Sequence, residues 1–343
     1  MKVLKISYRL LGLLLMLLMQ QWVAAQALNY SQYFNSPLLV NPANTGFNPD
    51  YDYRAGLNYR NSFTSVGGGY KTMGVWADAK LFANRFENGW MGVGGSILKD
   101  VAGTGQLTAT GASLSLAWHQ MLGYNSLLSA GFSAGVTTKR VDIAKLNFDN
   151  QWNGQFFDVS IPSNEPFAFS QVGYLDLNMG LNYAYFASEN FYFNAGFSIM
   201  HINRPRESFF AANISDARVP TRFNFFANAS IKLEDMWILN PNIYFSTIGN
   251  KNELVMGMNA NRNLGGNGAQ QMIVGLYYRN RDAIIPMIGY SVNDLQITVN
   301  YDATISSLGR LNATRGAYEL SIIKHGIFSS SGGRSVKCPT VRF

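Results

Sequence analysis

The stretch LDLNMGLNYAY, residues 175–185, alternates without a break. Leu175, Leu177, Met179, Leu181, Tyr183 and Tyr185 fall on one side of an extended chain. Asp176, Asn178, Gly180, Asn182 and Ala184 fall on the other. Successive side chains of a strand point to opposite faces, so a period of two predicts a β-strand with one apolar face. The same period recurs outward from this stretch. Tyr51, Tyr53, Ala55, Leu57 and Tyr59 alternate with Asp52, Arg54, Gly56, Asn58 and Arg60. Phe223, Phe225, Ala227, Ala229 and Ile231 alternate with Arg222, Asn224, Asn228, Ser230 and Lys232, with Phe226 as the exception. Leu295, Ile297, Val299 and Tyr301 alternate with Gln296, Thr298, Asn300 and Asp302.

Two architectures share this pattern. A soluble sandwich puts the apolar face in its core, and a membrane barrel turns that face to lipid. The strands are long enough for the ~9–11 residues that a tilted spanning strand needs. Aromatic residues recur near strand ends, at Tyr51, Tyr59, Trp90, Trp118, Tyr185, Phe186 and Tyr301. Rings in those places suit the interfacial girdles of a membrane barrel. The expected fold is therefore all-β, a transmembrane antiparallel up-and-down β-barrel of about fourteen strands. The strands are expected near 51–62, 70–82, 88–98, 107–121, 126–138, 169–186, 190–200, 220–233, 237–247, 251–260, 270–279, 283–291, 294–303 and 315–324. Connections after odd strands include the two longest, near 139–168 and 201–219. Short turns follow most even strands, which implies a periplasmic N-terminus.

The N-terminus has the layout of a secretory signal peptide. Lys2, Lys5 and Arg9 precede the apolar run Leu10–Met19, and the small residues Ala24, Ala25 and Ala27 follow. The expected division is a signal peptide at 1–25, an N-terminal periplasmic segment at 26–50, the barrel at 51–324 and a C-terminal periplasmic tail at 325–343. Only 14% of the chain is charged, and its net charge is +7. No dense Lys/Arg block of the kind that binds nucleic acid is present. The single cysteine, Cys338, excludes an internal disulfide framework and any metal site built from several thiolates.

No constellation points to catalysis, and no cofactor is expected. Gly131-Phe132-Ser133-Ala134-Gly135 matches a nucleophile elbow, but that motif needs a sharp strand-to-helix turn and here sits inside an alternating run. His119, His201 and His325 are far apart in sequence and read as solvated strand-end residues. The glycine-rich stretches Gly92-Val93-Gly94-Gly95 and Gly265-Gly266-Asn267-Gly268 lack the following Lys-Ser/Thr of a phosphate loop. Asp52, Arg54, Arg60, Asp78, Lys80, Asp176, Arg222, Lys232 and Asp302 lie on polar faces and should point into the lumen. There they either pair with one another and fill it, or line a polar channel or a site for a peptide segment.

An ordered set of short motifs resembles the PorP/SprF family, outer-membrane proteins of the type IX secretion system of Bacteroidetes. It begins with Ser31-Gln32-Tyr33, Pro37-Leu38-Leu39, Asn41-Pro42-Ala43 and Gly46. It continues through Tyr59-Arg60-Asn61, Gly92-Val93-Gly94, Lys99-Asp100, Tyr301-Asp302 and Arg315-Gly316-Ala317-Tyr318-Glu319-Leu320, and closes with Cys338-Pro339 and Arg342-Phe343. Ser62-Phe63 stand where the family often carries a glutamine and a tryptophan, and Tyr70 stands where it has a proline. The resemblance implies a non-enzymatic outer-membrane component, multi-pass, that helps secreted substrates reach the surface. Implied partners are the C-terminal domain of a secreted adhesin-type protein, including those of gliding motility, other secretion components, and outer-membrane lipid. The alternative left open is a general transport barrel for a polar or hydrophobic solute. Ser31, Gln32, Tyr33, Asn41, Pro42, Ala43 and Gly46 are expected to shape the N-terminal segment rather than to hold a ligand.

Overall fold

The computed structural model describes residues 30–48, 51–62, 68–83, 85–86, 88–158, 160–211, 215–266, 268–307 and 316–328. The proposed signal peptide, Cys338 and most of the C-terminal tail lie outside the described residues. Among the described residues there are fourteen strands. They are β1 (Tyr53–Ser62), β2 (Tyr70–Leu81), β3 (Gly89–Ala102), β4 (Leu107–Met121), β5 (Ser126–Arg140), β6 (Gln171–Ser188) and β7 (Phe191–Met200). β8 (Arg222–Leu233), β9 (Trp237–Ile248), β10 (Lys251–Asn263), β11 (Gln270–Arg279), β12 (Ala283–Val292), β13 (Leu295–Thr304) and β14 (Ala317–Gly326) follow.

Each strand pairs antiparallel with its sequence neighbour, and β1 pairs with β14 to close the ring. The seam register runs from Tyr53 opposite Gly326 to Ser62 opposite Ala317. Closure leaves no strand edge with unpaired N–H and C=O groups, the condition for placing a sheet in lipid. No described helix is long and apolar enough to cross a membrane, so the crossing is made by strands.

The two faces decide between barrel and sandwich. Ile97, Leu114 and Ile288 are 60%, 75% and 61% exposed, while Asn58, Asn182 and Glu319 are 1%, 1% and 0% exposed. A soluble sandwich would bury the first set and expose the second. The inversion is that of a wall with lipid outside and a polar lumen inside.

The two ends of the barrel differ. One carries short turns between β4 and β5, β6 and β7, β8 and β9, and β12 and β13, together with the starts of β1 and the end of β14. The other carries the two longest connections, residues 141–170 and 201–221. These clasp each other. The Phe167 and Phe210 rings stack at 5.1 Å, and the Ala168 N–H donates to the Phe209 carbonyl at 3.0 Å. Lys139 and Tyr174 of the wall both reach Glu207, at 2.6 and 2.8 Å.

The structure corrects three sequence expectations. The described part of the N-terminal segment, residues 30–48, does not lie outside the barrel in the periplasm; it runs through the lumen, where Asn41 and Thr45 are 0% exposed. There its polar groups bond to the wall, as Ser31 does to Asp302 and Asn41 to the Leu181 carbonyl. Trp90 and Phe186 belong to no girdle. They sit on inward faces at 2% and 1% exposure, because the segment inside the lumen supplies apolar surface for them. The gap left between the strands expected at 251–260 and 270–279 shrinks to residues 264–269, since β10 runs on to Asn263.

Candidate functional site

The segment at 30–48, here called the plug, is three one-turn helices in series: Tyr33–Asn35, Pro37–Val40 and Pro42–Asn44. Each proline opens its turn, where a missing N–H costs nothing. Asn41 is extended, and its side chain accepts from the Ala43 N–H at 2.8 Å, capping the third turn. Gly46 ends the run at φ +65°, a left-handed backbone that glycine adopts without strain. So short a series buries little of its own backbone. The wall satisfies the rest.

At the end nearer the long connections, Ser31 sits in a ring of charges. Its Oγ donates to Asp302 and accepts from Arg60 Nη1 at 2.5 Å and Arg279 Nη2 at 2.6 Å. The N–H groups of Ser31 and Gln32 donate to the two oxygens of Glu319 at 2.8 and 3.1 Å. Arg60 pairs with Asp302 and Glu319, and Arg279 with Asp302, Asp282 and Glu253. Gln32 donates to Asn300 at 2.6 Å, and Asn35 donates to Thr298 at 2.9 Å. The plug makes one neutral serine the centre of a buried network of opposite charges. Such a network holds only when every member keeps its partner.

In the middle, the Val40 carbonyl accepts from Ser198 at 2.7 Å and Asn224 at 3.1 Å. Asn41 donates to the Leu181 carbonyl at 2.9 Å, and Tyr33 donates to Asn242 at 3.0 Å while stacking on Tyr244 at 4.8 Å. Burial pushes the Tyr33 phenol well above its ordinary range, so it remains a neutral donor. Wall glycines make room here. A Cβ at Gly131 would strike the backbone of Pro42 and Ala43, one at Gly92 the Thr45 carbonyl, and one at Gly180 the Asn41 side chain. The elbow-like serine motif and the first glycine-rich stretch are thus landing places for the plug.

At the short-turn end, Asp78 accepts from the Gly46 N–H at 2.7 Å and is ion-paired with Arg54, whose Nη2 also donates to the Asn44 carbonyl. Trp90 Nε1 donates to the Gly46 carbonyl at 3.0 Å. His119 Nε2 lies 2.8 Å from the Thr45 carbonyl, which can only accept, so Nδ1 receives the Ser129 hydroxyl at 2.7 Å. His119 is 0% exposed. Its expected place as a solvated strand-end residue is therefore wrong, because the plug brings it a buried carbonyl to bond.

A family model described as type IX secretion system membrane protein PorP/SprF matches residues 22–323. The chain belongs to this family. No curated protein matches it. Among solved structures, it is similar to the CymD monoaromatic hydrocarbon channel, with 11% identity over 90% of this chain and 96% of that one, at a TM-score of 0.50. A deletion mutant of the TodX monoaromatic hydrocarbon channel gives 10% identity, 84% and 92% coverage, and a TM-score of 0.50. At such identity the likeness is one of fold, the outer-membrane barrel.

Within this PorP/SprF chain, the motif residues Ser31, Gln32, Tyr33, Asn41, Pro42, Ala43 and Gly46 all fall in the plug. The polar-face residues divide. Arg54, Asp78, Arg60 and Asp302 meet the plug or its charge ring. Asp176 instead pairs with His201 at 2.7 Å, and Arg222 approaches Glu253 at 4.0 Å. Lys80 lies over the Trp90 ring at 5.5 Å, and Lys232 pairs with Asp235 at 2.8 Å. Asp52 is at the short-turn rim, where it accepts from the Phe328 N–H. Sequence reasoning named Glu319 only within a family motif, placed His119 and Trp90 at solvated or interfacial strand ends, and missed Arg279. Glu319 and Arg279 carried a usable signal, since each is a charge on the polar side of an alternating strand.

Proposed function

We propose that this barrel is an outer-membrane component of the type IX secretion system that assists export or surface anchoring of secreted substrates. Family membership over residues 22–323 is the observation that carries the reading. The short-turn end faces the periplasm and the long connections face outward, following the usual asymmetry of such barrels. The clasped connections 141–170 and 201–221 present Trp152, Phe156 and Phe169 to solvent at that outer end. Exposed aromatics of this kind suit contact with a folded partner, here the C-terminal domain of a secreted adhesin-type protein. The role is non-enzymatic, and the partners are the substrate and other secretion components.

The alternative, a general solute channel, is disfavoured by the plug, which crosses the lumen and is bonded to the wall at both ends and the middle. Deleting the gene and following export of surface proteins together with solute uptake separates the two. Loss of a surface protein with uptake intact is expected. Intact export with reduced uptake overturns the proposal. Affinity purification from detergent-extracted outer membranes should co-recover the C-terminal domain of a secreted protein.

A further inference from the structure

The outward face of the barrel is not the same all the way round. Close to the long connections, β2, β3 and β5 each turn a cation outward: Lys71, Lys99 and Arg140, all exposed. Each shares its side of the strand with a lipid-facing residue one or two pleats away, Met73, Ile97 and Val136. Among the described residues no carboxylate shares this outward face of β2 to β6. Asp100 points into the lumen, where it accepts from Thr72 at 2.6 Å, and Asp142, just beyond β5, pairs with Lys145 at 3.3 Å. At the same end of β1, β11, β13 and β14 the outward residues are instead tyrosines, Tyr59, Tyr278, Tyr301 and Tyr318, with no outward Lys or Arg on those strands beside them. Cations that only anchored the barrel at the interface would be spread round the ring. These stand together on one side.

The strand register sets their spacing. Lys71 faces Val101 and Met73 faces Lys99, so the two lysines are diagonal neighbours with Cβ atoms about 7 Å apart. Lys99 faces Thr110 on β4, and Thr110 faces Thr138 on β5. Arg140 is the next outward residue after Thr138. It therefore stands two strands across and one pleat along from Lys99, about 12 Å away at ordinary strand spacings. Thr110 and Thr138 place two hydroxyls between the lysine pair and the arginine. The next row toward the middle of the wall is apolar: Val75 faces Ile97, Ile97 faces Ala112, and Ala112 faces Val136. Two centres of positive charge thus flank a neutral polar gap, with an apolar row on the membrane side of both.

We propose that this face binds one doubly phosphorylated glycolipid of the outer leaflet. One phosphate sits between Lys71 and Lys99. The other sits on Arg140, whose planar guanidinium can hold two phosphate oxygens at once. The sugar lies against the Thr110 and Thr138 hydroxyls, and the acyl chains run over the apolar row. A lipid with a single phosphate leaves one of the two charge centres without its anion. A free phosphate makes no use of the apolar row. An outward cation becomes costlier the nearer it stands to the bilayer middle, and an anionic headgroup offsets that cost. The choice of leaflet rests on the reading that the long connections face outward.

The test is native mass spectrometry of the purified full chain in detergent with diphosphoryl lipid A. Saturable retention of one lipid per barrel is expected, with monophosphoryl lipid A and phosphatidylglycerol held about tenfold less tightly or weaker. The double variant Lys71→Gln/Lys99→Gln and the single variant Arg140→Gln should each weaken retention by about tenfold or more. Arg262→Gln and Lys324→Gln, at exposed outward cations of the short-turn end, should leave it unchanged. Heat-dependent gel mobility reports whether each barrel has folded, and either test variant alone is sufficient. The proposal is overturned by equal retention of phosphatidylglycerol, by parental retention in a folded test variant, by an equal loss in the short-turn controls, or by displacement with millimolar inorganic phosphate. Binding in detergent does not depend on which way the barrel is inserted. Orientation is read separately, by impermeant maleimide labelling of whole cells carrying Thr104→Cys, at the exposed turn between β3 and β4, in a Cys338→Ser chain. Labelling upholds the outer leaflet. Its absence overturns the orientation and leaves the binding curve untouched, whereas absence of bound lipid overturns the site and leaves the orientation standing.

Discussion

Replacing Gly131 by leucine should drive the plug out of the lumen. A Cβ there meets the carbonyl carbon and oxygen of Pro42 and the nitrogen of Ala43 at distances no side-chain adjustment relieves, since all three are backbone. The plug must then move as a body. Four wall contacts flank this point: Ser198 and Asn224 on the Val40 carbonyl, Asn41 on the Leu181 carbonyl, and His119 on the Thr45 carbonyl. Each broken buried bond costs roughly 1–2 kcal/mol, so the four together cost about 4–8 kcal/mol. That is comparable to the entire stability of many domains. Leaving the lumen, where water re-solvates those groups, becomes the lower-energy outcome. The assay is ion conductance of the purified barrel in planar bilayers, paired with protease sensitivity of the N-terminal segment. The leucine variant should conduct more than the parent and lose the segment to protease first. Gly173→Ala, whose Cβ would meet nothing closer than 3.8 Å, serves as the neutral control. A folded Gly131→Leu barrel with parental conductance and a protected segment would refute the reasoning.

Three further outcomes follow from the same geometry. Asp302→Asn leaves Arg60 and Arg279 short of a buried anion, which should cost about 3–5 kcal/mol and lower the unfolding temperature in detergent. His119→Phe keeps the stack on Trp90, at 5.0 Å, but strands the Thr45 carbonyl and Ser129 hydroxyl. It should destabilise by about 1–3 kcal/mol, read in urea titrations of barrel refolded into vesicles. In the same vesicles Leu114→Arg, at the middle of β4 on the outer face, should cost about 2–4 kcal/mol, and Leu122→Arg at the short-turn rim about 0–1 kcal/mol. Equal costs at the two positions would mean that no lipid midplane lies across β4.

All fourteen strands were legible because the signal for each is local. Alternation of the kind at 175–185 survives wherever one face meets lipid and the other meets polar groups. Trp90 and Phe186 were misplaced because a ring at a strand end looks the same whether it faces the interface or the lumen. The plug was illegible as a plug. Its one-turn helices are too short to show a period, and its asparagines, serines and prolines read equally well as turns. Everything that holds it is distant in sequence: Glu319 for Ser31, Leu181 for Asn41, His119 for Thr45. The resemblance named Ser31 to Gly46 only as motif residues, and only the closed wall shows what surrounds them. Charges such as Asp302 could be placed in the lumen by parity, while their partners could not.

The plug also ties together the two strands that close the ring. It touches β14 through Glu319 and β1 through Arg60, on both sides of the seam. A completed ring leaves the segment only the two open mouths as a way in or out. With the plug seated, Glu319 on β14 holds Ser31 and Gln32 as well as Arg60 across the seam, so parting β14 from β1 also breaks the plug's own bonds. The joint between the first and last strands is thus riveted from within as well as laced by its backbone ladder.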